Sequence, residues 1–186
     1  MCGRYFIDLE DQNLRQWLSD DLSSFTNGDV FPSNQALILV YDGMIKPTIL
    51  PWGFIKWDNK KARIINARSE TIMTSRFFKE AYAQQKAIVL AHGFYEWDDS
   101  KARHIIKPKD QTLLYMAGVI SKDNQGFAIL TQPASHPVSK IHDRQPIMIS
   151  KEKITDYLTH KLPSSMVDYP SIPLDMSAVL EQASLF

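Results

Sequence analysis

The sequence predicts an α+β fold: a single domain with a curved, mainly antiparallel β-sheet or barrel core and peripheral helices. Three observations carry that prediction. Short apolar or β-branched runs outnumber the helical stretches, most are separated by Gly, Pro, Asp or Asn, and no strand–helix–strand alternation recurs. The 186 residues amount to about one domain of chain. No internal repeat, low-complexity block or linker divides them. We assign residues 1–162 to the domain and 163–186, which contain Pro163, Pro170 and Pro173, to a C-terminal tail that packs on or extends it and ends in one short helix.

Taken in order, Asp8 is placed to cap a helix whose apolar residues Leu14, Trp17, Leu18 and Leu22 recur at helical spacing. Ala36 to Tyr41, Asp42-Gly43 and Met44 to Leu50 read as two strands joined by a tight hairpin turn. Residues from Ser69 to about Gln85 read as helical with a break near Ser75. Further strands are expected at Ala87 to Ala91, Tyr95 to Trp97, His104 to Lys107, Leu113 to Val119, Phe127 to Thr131 and Ile147 to Ile149. Ser150 is placed to cap a helix carrying Ile154, Tyr157 and Leu158.

One cysteine forbids an internal disulfide, which favours a reducing cytoplasm as the compartment. No window approaches the roughly 18 apolar residues of a membrane helix, and the N-terminus does not read as a signal peptide. Formal net charge is zero, but its distribution is lopsided: −5 over residues 1–43, +7 over 44–109 and −2 over 110–186. A basic middle can form an anion-attracting face on a neutral protein; the same lysines can also be ordinary solvated surface.

Cys2 stands out by position. Removal of Met1 leaves a 1,2-aminothiol, expected at an exposed terminus. Its amine, with an ordinary pKa of about 8, can attack an aldehyde, and its thiol can then close a five-membered thiazolidine. An inert thiol after the start codon is the competing reading. Glu96 sits between aromatic residues, surroundings that raise a carboxyl pKa and suit proton transfer, although most glutamates are simply exposed. His142 can give or take a proton near neutrality. His92, His104, His136 and His160 show no ligand spacing, so neither metal nor cofactor is expected. Asn66 can both donate and accept hydrogen bonds, or serve a turn. Of the tryptophans, Trp57 is assigned to stacking and Trp52 to the core.

Four blocks, Met1-Cys2-Gly3-Arg4-Tyr5, Asn66-Ala67-Arg68-Ser69-Glu70-Thr71, Gly93-Phe94-Tyr95-Glu96-Trp97 and His142-Asp143-Arg144-Gln145-Pro146, resemble in order and spacing those of the SOS response-associated peptidase (SRAP) family of abasic-site processing proteins. That resemblance implies a covalent, thiazolidine-type crosslink between the N-terminal cysteine and the ring-opened sugar of an abasic site in single-stranded DNA. It implies that Cys2 is the nucleophile, that Asn66 holds the amine or adduct, that Glu96 assists imine formation and ring opening, and that His142 protonates the sugar oxygen or assists reversal. It makes Arg68 and Arg76 phosphate contacts, which a guanidinium suits better than an ammonium does. Arg4 and Arg144 join the same face, and Pro32 corresponds to a loop proline that wedges against DNA. Autoprocessing peptidase and abasic-site lyase activities also belong to the family. The implied partner is single-stranded DNA containing abasic sites, with the protein a cytoplasmic monomer, nucleoid-associated when bound and free of any membrane.

The match has departures. Asp29 and Phe31 differ from the usual residues of the proline loop, His92 stands where an acidic residue is common, and Gln145 replaces methionine or arginine. The segment from Ser171 to Phe186 lacks the strand expected there. Two other readings remain open: an N-terminal-nucleophile amidohydrolase, whose amine activates its own thiol, and a single-stranded DNA-binding module with no covalent step.

Overall fold

In the computed structural model, described over residues 2–18, 25–55, 62–109, 113–159 and 172–179, two antiparallel-dominated sheets pack around a shared core. The elements, in chain order, are β1 (Arg4–Ile7), α1 (Gln12–Arg15), β2 (Gly28–Val30), β3 (Gln35–Tyr41), β4 (Ile45–Pro51), β5 (Phe54–Ile55), β6 (Arg63–Ile64), β7 (Asn66–Arg68), α2 (Lys79–Gln84), β8 (Lys86–Ala91), β9 (Gly93–Trp97), β10 (Arg103–Pro108), β11 (Leu114–Ile120), β12 (Phe127–Pro133), β13 (Arg144–Pro146), α3 (Ile154–Thr159) and β14 (Leu174–Ala178). One sheet runs β14-β10-β9-β1-β2; the other runs β13-β12-β11-β8-β3-β4, with β7 alongside β12. β5 and β6 form a separate ribbon. The sheets do not close into a barrel.

The apolar runs explain the core. β8 and β11 are buried along their whole length, the pattern of strands covered on both faces rather than alternating. Tyr5 of β1 packs its ring 5.1 Å from that of Trp52, joining the two sheets. Trp52 is fully buried, and its indole N–H donates to the Ile65 carbonyl at 3.0 Å. A single residue, His92, separates β8 in one sheet from β9 in the other, so the chain turns a corner there. Gly93 follows because the corner admits no side chain: a Cβ would lie 2.5 Å from the Ile106 carbonyl oxygen and 2.5 Å from the Phe6 ring.

Several local expectations are corrected. Asp11, not Asp8, caps the first helix, accepting from the Asn13 amide at 2.6 Å; Asp8 accepts from Glu10 in the turn before it. That helix is a single turn, and Leu22 lies outside the described residues. The 36–50 hairpin forms in the expected place, and Gly43 takes the left-handed conformation (φ +76°) that its turn requires. Residues 69–85 divide into a 3-10 turn at Ser69–Thr71 and α2. The Ser75 hydroxyl accepts from the amides of Phe77 and Phe78 at 3.3 Å each, competing with helical pairing where the break was expected.

The C-terminal segment departs furthest from expectation. Leu174–Ala178 forms β14, an edge strand antiparallel to β10 that pairs Ile106 with Met176. Leu174 and Met176 pack against the core. The strand missing from the sequence reading is therefore present; the short terminal helix falls outside the described residues. Among the described residues no helix is long and apolar enough to cross a membrane.

Gly93→Ala is expected to destabilise the protein by about 1–3 kcal/mol, the usual cost of overpacking, with a lower urea midpoint at an unchanged slope.

Candidate active site at the N-terminal cysteine

The four sequence blocks become strands β1 and β9, which pair with each other in one sheet, and β7 and β13, which both pair with β12 in the other. β1 lies antiparallel to β9, with Arg4 opposite Tyr95 and Tyr5 opposite Phe94. This brings the residues after Cys2 beside the strand that carries Glu96. In the other sheet β12 receives β7 in parallel, with Asn66 opposite Ile129 and Arg68 opposite Thr131. It also receives β13 antiparallel, with Arg144 opposite Pro133. A hydrogen bond links the two sheets here: Asn66 Nδ2 donates to the Cys2 carbonyl at 2.9 Å. Asn66 Oδ1 is buried and has no hydrogen-bond partner among the described residues.

Cys2 is fully buried in the chain that still carries Met1, whereas the exposed amine and thiol expected from the sequence belong to the chain without it. The cause is its place in the chain. It leads directly into β1, an interior strand flanked by β9 and β2, so the backbone carries it under the sheet. Burial, reinforced by the Glu96 carboxylate, pushes the thiol well above its ordinary range, so Sγ stays protonated at neutral pH.

Glu96 is 3% exposed. Burial raises its carboxyl above the usual range, while the charge of His142 opposes the rise and that of Asp143 adds to it. His142 stands at the same centre. Its Nδ1 lies 2.9 Å from the Arg144 amide, 3.2 Å from the Arg144 carbonyl and 3.0 Å from the Asp143 carboxylate. Cys2, Asn66, Glu96 and His142 thus converge from four distant stretches of chain.

A family model described as SOS response associated peptidase (SRAP) matches residues 1–179. The chain belongs to the SRAP family. It is 29% identical to the abasic site processing protein YedK of Escherichia coli (strain K12) over 182 residues, covering 87% of this chain and 81% of that protein. It is 31% identical to the abasic site processing protein YoqW of Bacillus subtilis (strain 168) over 183 residues, with the same coverage. A crystal structure of a protein from Bacteroides thetaiotaomicron superposes with a TM-score of 0.77 at 19% identity, covering 96% of this chain and 92% of that one; that likeness concerns the fold. The SRAP match takes in β14.

Within this SRAP domain the basic residues occupy different surroundings. Arg68, at the end of β7, and Arg76 are exposed. Pro32 is exposed beside Phe31, which is 42% exposed. Trp57 lies outside the described residues. Arg144 is turned inward: its guanidinium binds both carboxylate oxygens of Glu70 and donates to the Thr131 carbonyl at 2.8 Å. It is committed to holding the 3-10 turn after β7 against β12 and β13 rather than presented to solvent. The Arg4 guanidinium sits 4.4 Å from the centre of the Phe31 ring and 5.3 Å from that of Trp97, with Asp29 at 3.5 Å.

Sequence reasoning missed two features. Glu70 was quoted within its block without a role, because its partner lies 74 residues away. The cluster of Phe31, Tyr95 and Trp97 beneath Arg4, with Arg103 5.5 Å from the Tyr95 ring, depends on the pairing of β1, β9 and β10. No pattern along a single strand signals it, since Phe31 follows β2, Tyr95 and Trp97 lie on β9 and Arg103 on β10. His92, noted as a departure, has a structural role here. Its Nδ1 accepts from the Asp8 amide at 3.0 Å and its Nε2 lies 3.0 Å from Asp11, pinning the α1 entry to the β8–β9 corner.

The Glu70–Arg144 pair has a definite pH signature. Hydrogen bonding to Arg144 lowers the Glu70 carboxyl from 4.5 to about 2, so its contribution is present above 4.5 and is lost as pH falls toward 2. Acid unfolding followed by circular dichroism is expected to show this loss in wild type and to lack it in Glu70→Gln.

Proposed function

We propose that this protein processes abasic sites in single-stranded DNA by trapping them covalently on Cys2. The observation that carries the reading is the convergence of Cys2, Asn66, Glu96 and His142 through the Asn66–Cys2 hydrogen bond, in a chain of the SRAP family whose relatives YedK and YoqW are named abasic site processing proteins.

In this reading, removal of Met1 frees the Cys2 amine. The amine attacks the ring-opened sugar aldehyde, the resulting carbinolamine loses water to give an imine, and Sγ adds to the imine carbon while its proton passes to nitrogen. The product is a thiazolidine, and one water is released overall. A thiol kept protonated by burial suits this order, with nitrogen reacting first and sulfur closing the ring. Glu96, whose carboxyl keeps its proton above the usual range, is the acid for ring opening and loss of water, and its carboxylate then relays the thiol proton to the nitrogen. His142 donates a proton to the sugar oxygen. Asn66 holds the backbone of Cys2 against these groups.

Arg68 and Arg76 take phosphates, Pro32 lies against the strand at the lesion, and Trp57 offers a face for base stacking. Arg4 acts with the aromatic cluster beneath it, and Arg144 acts indirectly by fixing the His142 segment to Glu70. The same imine gives access to abasic-site lyase chemistry, and the same groups to autoprocessing of Met1.

Mature protein incubated with a single-stranded oligonucleotide bearing one abasic site is expected to give a slowly migrating species on a denaturing gel. Cys2→Ser is expected to lose its stable form. Absence of that species with wild type contradicts the reading. Turnover of small amides without DNA selects the amidohydrolase reading, and salt-reversible binding unchanged in Cys2→Ala selects the non-covalent one.

Glu96 makes a second prediction. The crosslinking rate is expected to show a titration above the usual carboxylate range, with the rate falling as pH rises through it. Glu96→Gln, followed by the same gel assay across pH, is expected to be slower and to lack that inflection.

A further inference from the structure

The turn between β2 and β3 departs from the family pattern at Phe31, and the chemistry given to Cys2 makes no use of that residue. Among the described phenylalanines Phe31 is the exposed one, at 42%. It is also fixed in place. The Phe31 amide donates to Asn34 Oδ1 at 2.8 Å, and the Phe31 carbonyl accepts from the Asn34 amide at 3.0 Å, closing a tight turn through Pro32 and Ser33. That turn is tied to the buried Trp52: the Ser33 amide donates to the Trp52 carbonyl at 2.8 Å, and the Trp52 amide donates to the Asn34 carbonyl at 3.0 Å. Ser33 takes the left-handed conformation (φ 76°), which a residue other than glycine holds only where its surroundings fix it.

A cation backs the ring. Val30 pairs with Tyr5, so the register carries Phe31 to the level of Arg4, and the Arg4 guanidinium sits 4.4 Å from the centre of the Phe31 ring, within the range of a cation–π contact. The same guanidinium lies 3.5 Å from Asp29, whose carboxylate also accepts from the Tyr95 hydroxyl at 3.0 Å. Arg4 is thus shared between a carboxylate and the rings of Phe31, Tyr95 and Trp97, which suits it to backing a ring more than to gripping a phosphate alone. A single exposed apolar residue is ordinary on a protein surface. One clamped at both of its backbone groups and covered on one face by a guanidinium has the form of a platform for a flat partner.

We propose that Phe31 is a stacking platform for the nucleobase that neighbours the lesion. This rests on the reading of the Cys2 site as one for abasic single-stranded DNA and adds to it the group that recognises the flanking nucleotide. An abasic nucleotide has no base of its own to stack, so the placement of its sugar at Cys2 depends on contacts made by its neighbours. Arg4 stands two residues along the chain from Cys2, roughly 7 Å of extended backbone, and Phe31 lies one strand further across, roughly 5 Å, which puts the platform within reach of the adjoining nucleotide. Stacking on an aromatic ring accepts every base, so the contact adds affinity without sequence preference.

The test is equilibrium binding of the full chain, freed of Met1, to single-stranded oligonucleotides that carry a tetrahydrofuran in place of the abasic sugar. That ring cannot open to an aldehyde, so the measurement reports affinity without the covalent step. One oligonucleotide keeps the bases on both sides of the tetrahydrofuran, and two others replace the neighbour on one side or the other with a second tetrahydrofuran. Phe31→Leu is expected to weaken binding to the base-flanked strand roughly tenfold, and Phe31→Trp to bind at least as well as wild type. Removing the neighbouring base on one side is expected to weaken wild type by a similar factor and to leave Phe31→Leu unchanged, a coupling that a purely structural role for Phe31 does not produce. Equal affinity of wild type and Phe31→Leu for the base-flanked strand overturns the proposal, as does a loss in Phe31→Leu that persists undiminished whichever neighbouring base is removed. Coupling without a crosslink in the gel assay supports the role of Phe31 and counts against the Cys2 chemistry alone; a crosslink without coupling counts against Phe31 alone.

Discussion

The hydrogen bond from Asn66 Nδ2 to the Cys2 carbonyl is the contact on which the site depends. Cys2 precedes β1 in one sheet and Asn66 begins β7 in the other. Strand pairing begins at Arg4, after Cys2, and chain ends are poorly ordered unless tied down. The bond instead fixes the Cys2 backbone between the strand carrying Glu96 and the pair of strands that flank β12. The core supports it from below through the Tyr5–Trp52 contact, and the Gly93 corner sets the path of β9.

Electrostatics at the centre follows from the same packing. Burial that raises the Glu96 carboxyl also raises the Cys2 thiol, and each ionised form disfavours the other. Both groups therefore hold their protons to higher pH than they would in water, which suits a reaction that needs an acid before it needs a thiolate. The neighbouring Glu70–Arg144 pair behaves in the opposite way: opposite charges in contact keep both ionised. One arrangement supplies movable protons and the other a fixed brace for the backbone that carries His142.

Much of the architecture was legible because its strands are short and their boundaries are marked. Asp42-Gly43 located the hairpin, and the continuous apolar runs of β8 and β11 identified the buried strands. The four blocks pointed to Cys2, Asn66, Glu96 and His142 as a group. What escaped depends on long-range pairing. β14 is five residues, Leu-Asp-Met-Ser-Ala, of weak strand propensity, and it becomes a strand because β10 offers it an edge. The burial of Cys2 follows from the interior position of β1, which no local pattern reveals. Arg144 resembled a phosphate contact in sequence, and only the pairing of β7 and β13 with a common neighbour shows that Glu70 claims it.

The most direct measurement of this account is the single-turnover crosslinking rate of Asn66→Leu on abasic-site DNA, set against its affinity for the same DNA. A near-isosteric side chain that cannot donate to Cys2 is predicted to slow the chemical step by about a hundredfold, the cost of misplacing reacting atoms by about an ångström, while DNA affinity and unfolding midpoint stay close to wild type. A rate equal to wild type would show that the inter-sheet bond does not position the nucleophile and would contradict the account.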